Sequence, residues 1–370
     1  MVIPIMFAVN NSYVKQLATV ILSIIKNHRT NNPFLFYVLQ TDITINNKNI
    51  LDNIVKSNSK YSKIEFIDMK EVLKNFDLEK YMSRRENYTY ISIETYFRFF
   101  IPELLPKIDK CIYIDADVLV LQDIEELYNE NISGYYAGVV QDNWQSYLTY
   151  KKDIKTAYGA YDTYYSYYRL KLRKKNNKYF NAGVLLLNLD EIRKDNIVEK
   201  LWLFAAKESP LEYQDQDVLN AVLEQKLKYI NPKWNVLKDL NWLASQYQDQ
   251  NITKSLLQIY KKPAIIHYVG ANKPWINPIN ELYSYSFIKE WWNYYKLTPY
   301  YQTKDKYIFK NILWIKRYTK WIHILTIRIF EFVFIEAFYE PYILKFKIFN
   351  LLKTHIRIRK PSKYETVKTI

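Results

Sequence analysis

Two aspartates stand one residue apart in an otherwise apolar stretch, CIYIDADVLVL at residues 111–121. An ionised carboxylate in a protein core is costly unless it is paired or binds a metal. Residues i and i+2 of an extended segment face the same side, so Asp115 and Asp117 can address one ligand where the strand ends. Two carboxylate oxygens suit a hard divalent cation such as Mg²⁺ or Mn²⁺. Taken alone, the same pattern is also typical of a turn or a surface.

A second group of polar residues lies in HYVGANKPW at residues 267–275. It contains His267, one of only 4 histidines in the chain, and an imidazole beside two carboxylates favours Mn²⁺ over Mg²⁺. Gly270 would let the backbone approach a phosphate, and Lys273 supplies a point charge for it. Each residue by itself also fits a structural role, as a hydrogen-bonded core histidine, a turn glycine or a surface lysine.

The surrounding segments alternate between strand and helix patterns. A continuous apolar run predicts a buried strand at residues 2–9. Further segments look like strands at residues 34–41, 63–69, 111–117, 178–189 and 263–270. Helical patterns predict helices at residues 17–25, 92–105, 191–208 and 215–226, and Asn11 or Ser12 can cap the first of them. This alternation predicts a three-layer α/β sandwich with a mostly parallel sheet, in which ligands bind at the carboxyl ends of the strands.

The composition fits a packed globular protein in a reducing compartment. Of the 370 residues, 49 % are hydrophobic, which argues against a disordered chain. The single Cys111 cannot form an intramolecular disulfide. The N-terminal MVIPIMFAV lacks a basic region and a cleavage site, so we expect a strand there and not a signal peptide. No uncharged apolar run reaches the length of a transmembrane helix.

The positive charge is concentrated at the C-terminus. Residues 301–370 hold 15 Lys or Arg and 5 Asp or Glu, which is +10 of the net +15. Trp, Ile and Phe are mixed with these cations, as in helices that lie on a membrane surface. Each cation near an anionic membrane contributes about 1 kcal/mol. We therefore predict that this tail associates with an anionic membrane surface. A solvated tail and a helical packing domain remain alternatives, and nucleic-acid binding would leave the motifs of the first 280 residues unexplained.

Five segments, in order, resemble glycosyltransferase family 8, with the closest likeness to its bacterial lipopolysaccharide galactosyl- and glucosyltransferases. They are FAVNNSY (7–13), ETYFRFFIPELLPKIDKCIYIDADVLV (94–120), YFNAGVLLLNL (179–189), YQDQDVLN (213–220) and HYVGANKPW (267–275). The resemblance implies a catalytic domain at residues 1–280 with the GT-A nucleotide-sugar-binding fold, a Rossmann-like α/β/α sandwich. Residues 281–370 would then form a basic, aromatic, helical extension that associates with a membrane. The resemblance implies a cytoplasmic protein, peripheral on the inner face of the cytoplasmic membrane.

The resemblance also implies roles for individual residues. The metal ligands match Asp115, Asp117 and His267. Contacts to the diphosphate match Gly270 and Lys273. Contacts to the uridine match Ala8, Asn10 and Tyr13. Contacts to the donor sugar and the reaction centre match Arg98, Ala116, Asn181, Asp215 and Gln216, of which Asp215 and Gln216 are the catalytic pair. Two positions depart from the family: Asn10 stands where Asp is frequent, and Ser12 where Asn is frequent. Asn10 keeps an acceptor but loses the charge, which would alter recognition of uracil or ribose.

The activity implied is transfer of galactose or glucose from UDP-galactose or UDP-glucose, with Mn²⁺ or alternatively Mg²⁺, onto a lipid-linked oligosaccharide. The resemblance implies that the anomeric configuration of the sugar is retained. A double displacement would need a nucleophile, and the amide of Gln216 is a poor one. Front-face attack is favoured, with Gln216 and Asp215 stabilising positive charge at the anomeric carbon. The alternatives are a glycogenin-like or protein-directed glucosyltransferase and a non-catalytic nucleotide-sugar binder. The tyrosine-rich stretch 147–168 is either an acceptor-side loop or a loop without that role.

Overall fold

The residues described by the structure, a computed structural model, are 1–74, 76, 93–151, 179–207, 211, 213–270, 273–276, 285–302 and 305. All of them except Asp305 belong to one unit, made of Met1–Ile276 and Tyr283–Gln302. The tyrosine-rich stretch beyond residue 151 and almost all of the basic tail lie outside the described residues. Among the helices described, none is both long enough and apolar enough to cross a bilayer.

Ten strands lie within the described residues and form two sheets. They are β1 (Ile3–Ala8), β2 (Phe34–Gln40), β3 (Lys63–Asp68), β4 (Lys110–Ile114), β5 (Val118–Val120), β6 (Ala137–Gln141), β7 (Phe180–Asn188), β8 (Leu227–Tyr229), β9 (Val236–Leu237) and β10 (Ile265–His267). The central sheet has the order β3-β2-β1-β4-β7-β6-β8. Only β7 runs against its neighbours β4 and β6 among these pairings, so the predicted mostly parallel sheet is confirmed.

A turn at Asp115–Asp117 joins the central sheet to the second, three-stranded sheet. The prediction of one strand over residues 111–117 is therefore wrong at its end, because β4 stops at Ile114 and the chain re-enters a strand at Val118. The second sheet has the order β5-β10-β9, and His267 is opposite Val118 in its register. This pairing brings the histidine beside the two aspartates.

Twelve α-helices within the described residues flank the sheets. They are α1 (Val14–Asn27), α2 (Ile45–Asn58), α3 (Met69–Leu73), α4 (Ile101–Leu104), α5 (Glu125–Tyr128), α6 (Asn143–Lys151), α7 (Leu189–Lys194), α8 (Ile197–Lys207), α9 (Asp215–Leu223), α10 (Leu240–Ser245), α11 (Gln250–Lys261) and α12 (Tyr285–Tyr295). Short 3₁₀ helices occur at Asn11–Tyr13, Ile93–Phe100, Glu224–Lys226 and Pro232–Trp234.

The helix predicted over residues 92–105 is observed as the 3₁₀ helix Ile93–Phe100 followed by α4. Two further predicted helices also differ in detail from those observed. The single helix expected over residues 191–208 is divided into α7 and α8 at Asn196, whose φ of 51° is left-handed. Asparagine tolerates this conformation better than most residues, so the chain can turn there. The first helix is preceded by a turn capped by Asn10, whose Oδ1 accepts from Ser12 N, and not by Asn11 or Ser12.

The first helix is buried on all sides. Every residue from 17 to 25 is buried, because α2, α12 and strand β5 all pack on α1. Asn27 of α1 donates from Nδ2 to the hydroxyl of Tyr294 at 2.7 Å. Helix α12 is thus part of the unit that holds the sheet.

An aromatic cluster fixes the 3₁₀ helix Ile93–Phe100 to the core. The ring of Trp202, on α8, lies 5.0 Å from the rings of both Phe99 and Phe100. Burying a side chain of this size contributes about 1.5–3 kcal/mol. Thr95 and Arg98 are therefore carried on a firmly packed support.

Candidate active site

Three side chains that could bind a metal converge at the turn between β4 and β5. The ligand atoms of Asp115, Asp117 and His267 all lie within 4.8 Å of one another. His267 Nε2 is 3.2 Å from Asp117 Oδ1 and 3.9 Å from Asp115 Oδ2. The histidine is buried, whereas 26 % of the Asp115 side chain and 17 % of the Asp117 side chain are exposed. The three predicted ligands are thus together, and both carboxylates reach solvent.

The neighbours of His267 fix which of its nitrogens faces the aspartates. Its Nδ1 lies 3.0 Å from Oδ1 of Asn235, and Asn235 donates from Nδ2 to Oδ1 of Asn181 at 2.9 Å. With its amide oriented in this way, Asn235 accepts from His267, so Nδ1 carries a proton and Nε2 faces the aspartates; in the neutral ring Nε2 presents a lone pair. A lone pair facing two carboxylates is a donor set that fits a divalent cation.

Lys273 supplies positive charge at the same point. Its Nζ donates to Asp117 Oδ2 and to the backbone oxygen of Tyr268. Burial by itself would raise the pKa of Asp117, but the ammonium of Lys273 outweighs it and holds that pKa below its ordinary value. Asp117 therefore remains ionised, as a metal ligand must be.

Arg98 links Asp115 to a third carboxylate, that of Asp215. Its Nη2 donates to Asp115 Oδ1 at 3.0 Å, and its Nε lies 3.1 Å from Asp215 Oδ2. The guanidinium lies 4.2 Å over the ring of Tyr113, whose hydroxyl also donates to Asp115 Oδ1, at 2.8 Å. Burial would lower the pKa of Arg98, but the carboxylates of Asp115 and Asp215 raise it above its ordinary value. The arginine is a permanent cation between the predicted metal ligands and Asp215.

Asp215 is a buried carboxylate at the start of α9. Thr95 Oγ1 donates to its Oδ1, while its Oδ2 accepts no hydrogen bond from the described residues, although Arg98 Nε lies 3.1 Å from it. Burial raises its pKa to about 6, against the effects of Arg98 and Thr95. The residue before it, Gln214, has a φ of 48°, a strained conformation for a residue with a side chain, and Tyr96 donates to its Oε1 at 2.9 Å. The backbone is thus held in an unfavourable form at the point that presents Asp215.

The side chain of Gln216 is hydrogen-bonded to strand β7. Its Oε1 accepts from Ala182 N at 2.9 Å, and its Nε2 donates to the hydroxyl of Tyr179 at 3.3 Å. Asn181, on the same strand, donates from Nδ2 to Asp142 Oδ2 at 3.1 Å. The predicted sugar-binding residues Asn181, Asp215 and Gln216 are therefore joined to one another through β7 and α9.

A glycine on β7 makes room for the histidine. A Cβ on Gly183 would lie 2.1 Å from Cε1 of His267 and 2.9 Å from Oδ2 of Asp115. Its backbone oxygen accepts from Asp115 N at 2.9 Å. No side chain fits at this position unless the predicted metal ligands move.

The residues predicted for the nucleotide lie at the end of β1 and around Trp275. Asn10 Oδ1 accepts from Ser12 N and Oγ, and Nδ2 of the same side chain lies 3.4 Å from Glu94 Oε2. Tyr13 packs edge-on against Trp275, at 6.2 Å between ring centroids. Burial, with the charges of Asp117 and Asp115, raises the pKa of Tyr13 to about 12. The predicted uridine residues thus adjoin the predicted metal ligands.

The remaining predicted residues lie at the same edge of the structure. Ala8 ends β1 and Ala116 is buried between the two aspartates. Gly270, with a φ of 80°, adopts the left-handed turn that favours glycine.

Several residues of the site were not foreseen in the sequence. Asp142 follows strand β6, and a carboxylate at a strand end is a signal that could have identified it. Asn235 and Glu94 give no such signal, because they stand in ordinary segments and approach the site only through the fold. They were missed together with Thr95, Tyr113 and Gly183.

A second group of possible ligands, His28, Asp123 and Glu125, has a structural role. Both ring nitrogens of His28 have protein partners, Asp123 Oδ1 at 3.0 Å and the backbone oxygen of Asn32 at 2.9 Å. Glu125 accepts from Thr30 and Asn32. These bonds tie the end of α1 to the chain after β5.

Comparison with known proteins agrees with this arrangement. A sequence model of the family described as glycosyl transferase family 8 matches residues 4–277. A putative glycosyltransferase of Haemophilus influenzae is 30% identical over 272 residues, which are 73% of this chain and 72% of that protein. A lipopolysaccharide 1,2-glucosyltransferase of Escherichia coli is 26% identical over 322 residues, covering 84% and 86%.

Solved structures support the fold. The galactosyltransferase LgtC, crystallised with donor and acceptor sugar analogs, is similar with a TM-score of 0.60 at 22% identity, covering 82% of this chain and 98% of that one. The GT-A fold predicted from the sequence is confirmed.

Proposed function

Because this chain belongs to glycosyltransferase family 8, we propose that it transfers galactose or glucose from a UDP-sugar, with Mn²⁺ and with retention, to a lipopolysaccharide or lipooligosaccharide acceptor. The observation that carries the proposal is the grouping of Asp115, Asp117 and His267, with the lone pair of His267 Nε2 turned toward the carboxylates. The name of the Escherichia coli relative supports the class of acceptor.

The arrangement of the predicted ligands favours a divalent cation between them over direct contact between their acceptor atoms. Nε2 of a neutral His267 and Oδ1 of Asp117 are both acceptors and lie 3.2 Å apart, so a cation between them would remove their repulsion. A bound cation would act as a Lewis acid that neutralises charge on a leaving diphosphate. Lys273, already at Asp117, would add a second positive charge for the same diphosphate.

The residues around Asp215 suit the reacting sugar. Asp215 Oδ2, which accepts no hydrogen bond from the described residues, can accept one from a hydroxyl of the donor sugar. With a pKa of about 6 the carboxylate is mostly ionised at neutral pH, so it can stabilise positive charge at the anomeric carbon. Arg98 orients it through the contact with Nε.

We infer front-face attack as the route to retention. Gln216 Oε1 accepts from a backbone N–H, and an amide oxygen is in any case a poor nucleophile. In front-face attack the acceptor oxygen bonds to the anomeric carbon as the bond to the UDP oxygen breaks, and the departing UDP oxygen takes the acceptor's proton. The side chains of Gln216 and Asp215 then stabilise the sugar cation without bonding to it.

An exposed pair of tryptophans suits a carbohydrate acceptor. Trp144 on α6 and Trp242 on α10 are 37% and 38% exposed, and their rings stack with centroids 6.3 Å apart. Trp144 N donates to Asp142 Oδ1 at 2.9 Å, which places the pair two hydrogen bonds from Asn181. Aromatic faces pack against apolar surfaces such as sugar C–H groups. We propose that this tryptophan pair contacts the acceptor.

The proposal is tested by measuring UDP release from a panel of UDP-sugars, with and without Mn²⁺. Truncated core oligosaccharides serve as acceptors, and NMR of the product gives the anomeric configuration. We expect release that depends on acceptor and cation, UDP-galactose or UDP-glucose as the best donor, and an α-linked product. Activity that is unaffected by chelation would contradict the metal, a β-linked product would contradict retention, and acceptor-independent self-labelling would favour the glycogenin-like alternative.

A further inference from the structure

We propose that Asn235 is a positioning residue that orients the metal site and the sugar site through the two ends of one amide. Its oxygen accepts from Nδ1 of His267 and so sets the tautomer of the ring, and its nitrogen donates to Asn181 and helps to hold that side chain in place. This inference rests on the proposed function, in which His267 binds the cation and Asn181 contacts the donor sugar.

Asn235 lies at the centre of the unit, where it is only 1% exposed. It directly precedes β9, which pairs in parallel with β10 and so sets the residue beside His267. Oδ1 lies 3.0 Å from His267 Nδ1, and Nδ2 lies 2.9 Å from Asn181 Oδ1. Both polar ends of the side chain are therefore engaged with residues of the candidate site.

The direction of this hydrogen-bond chain is fixed by a backbone group. Gly183 N, which can only donate, lies 3.0 Å from Asn181 Oδ1, so this oxygen is the acceptor end of the Asn181 amide. Asn235 must then turn its NH₂ group toward the same oxygen. Its own oxygen is left for His267, whose Nδ1 must carry the proton.

The opposite end of Asn181 agrees with this direction. Its NH₂ group faces Asp142 Oδ2 at 3.1 Å, and Asp142 Oδ1 accepts from the backbone N–H groups of Trp144 and Gln145. The chain thus runs from the loop after β6, through Asn181 and Asn235, to the imidazole of His267.

The arrangement explains why an amide, and not a carboxylate, stands at position 235. A carboxylate could accept from His267 Nδ1 as well as the amide does, and this is a common partner for a metal-binding histidine. Its second oxygen would, however, face Asn181 Oδ1, and two acceptors at 2.9 Å repel each other. Asn235→Asp therefore preserves the contact to His267 and breaks the contact to Asn181. Asn235→Leu, of similar size, removes both.

The two variants separate a positioning role from a merely structural one. For the full-length protein, Mn²⁺ affinity is measured by electron paramagnetic resonance of free Mn²⁺, and donor kinetics are measured at saturating Mn²⁺. We expect Asn235→Leu to bind Mn²⁺ about 10–100-fold more weakly, as for other partners of metal-binding histidines. We expect Asn235→Asp to bind Mn²⁺ like wild type but to lose turnover about tenfold or more.

A measurement without metal keeps the inference testable if the affinities are hard to interpret. The chain has only 4 histidines, so ¹⁵N-histidine labelling with long-range ¹H–¹⁵N correlation identifies the tautomer of His267. Wild type and Asn235→Asp should carry the proton on Nδ1, and Asn235→Leu should show a mixture of tautomers. Asn58→Leu, which removes an amide on α2 that donates to Ile54 O at 2.9 Å, is the matched control and should match wild type in every measurement.

The outcomes also distinguish this inference from the proposed function. If Asp117→Asn abolishes Mn²⁺ binding but both Asn235 variants bind and react like wild type, the metal site stands and the role of Asn235 is refuted. Equal loss of Mn²⁺ affinity in Asn235→Asp and Asn235→Leu would also refute it. Wild-type protein that binds no Mn²⁺ would overturn the metal site and this inference together.

Discussion

Lys273 donates a hydrogen bond from Nζ to Oδ2 of Asp117, across 156 positions of sequence. The lysine is 8% exposed and its second bond, to the backbone oxygen of Tyr268, holds it in place. In the proposed function the same ammonium serves both the metal ligand and the diphosphate. The pair therefore links cation binding to nucleotide binding.

Lys273→Met should affect the two ligands in opposite directions. UDP should bind about tenfold or more weakly because a charge-assisted contact is lost. Mn²⁺ without nucleotide should bind at least as tightly as in wild type, because the ammonium no longer occupies Asp117 or repels the cation. Calorimetry of each ligand separately measures both effects. Lys56→Met, which removes a lysine with 69% of its side chain exposed on α2, is the control and should change neither affinity. Unchanged UDP affinity in Lys273→Met would remove Lys273 from the diphosphate site.

Asp215 should make the folded protein less stable as the pH rises. Its pKa is raised from 3.8 to about 6, so between these values the folded chain holds the proton more tightly than the unfolded chain does. The stabilisation is complete below the unfolded pKa and is lost as the pH rises through about 6. Asp215→Asn cannot titrate, so the stability of wild type relative to this variant should fall by roughly 2–3 kcal/mol between about pH 4 and pH 8.

Chemical unfolding of both proteins without added metal, across this pH range, provides the test. A difference that is independent of pH would mean that Asp215 is ionised throughout, paired with Arg98. A difference that moves in the opposite direction would mean that the Arg98 contact lowers the pKa below its ordinary value.

Much of the fold follows from local sequence pattern. All six predicted strand segments contain a strand, because runs such as those of β1 and β2 are buried on both faces and read as continuous apolar sequence. Strands β8 and β9, of three and two residues, are too short for any periodicity to reveal. Their positions depend on pairing with distant strands.

The candidate site was predictable where a residue type is unusual for its surroundings. Asp115 and Asp117 stand out because charge is rare in an apolar run. Asp115 nevertheless does more than the sequence suggests: it accepts from buried Arg98 and from Tyr113, so its replacement should cost stability as well as metal binding. Asn235 could not be foreseen, because nothing in its own segment indicates that β9 lies beside β10.

The tryptophan pair should affect the acceptor and not the donor. Trp242→Ala removes half of the stacked surface, so the Michaelis constant for an oligosaccharide acceptor should rise about fivefold or more, as for the loss of roughly 1 kcal/mol of aromatic contact. The Michaelis constant for the UDP-sugar should be unchanged. Tyr61→Ala, at an aromatic residue that is 62% exposed in the loop before β3, is the control. Equal effects on both substrates would mean that the pair supports the fold of the site.

Removal of residues 303–370 should separate membrane binding from sugar transfer. The cut follows α12, which packs on α1, and spares the unit that holds the sheet. Full-length protein should sediment with anionic liposomes, less so at high salt because the charges are screened. The shortened protein should stay in solution and still transfer sugar to a soluble acceptor. Full-length protein that ignores anionic liposomes at low salt would refute the membrane proposal, and loss of UDP binding after the deletion would place the tail in the catalytic fold.

The account depends most directly on one shared site for the cation and the diphosphate, and calorimetry of UDP binding with and without Mn²⁺ tests it. Two ligands that complete one another's coordination must each strengthen the binding of the other by the same factor, typically 5–150-fold (about 1–3 kcal/mol). We predict that Mn²⁺ tightens UDP binding to this extent in wild type and that Asp117→Asn removes the effect. Equal UDP affinities with and without Mn²⁺ in wild-type protein would contradict the assignment of Asp115, Asp117 and His267 as the metal site.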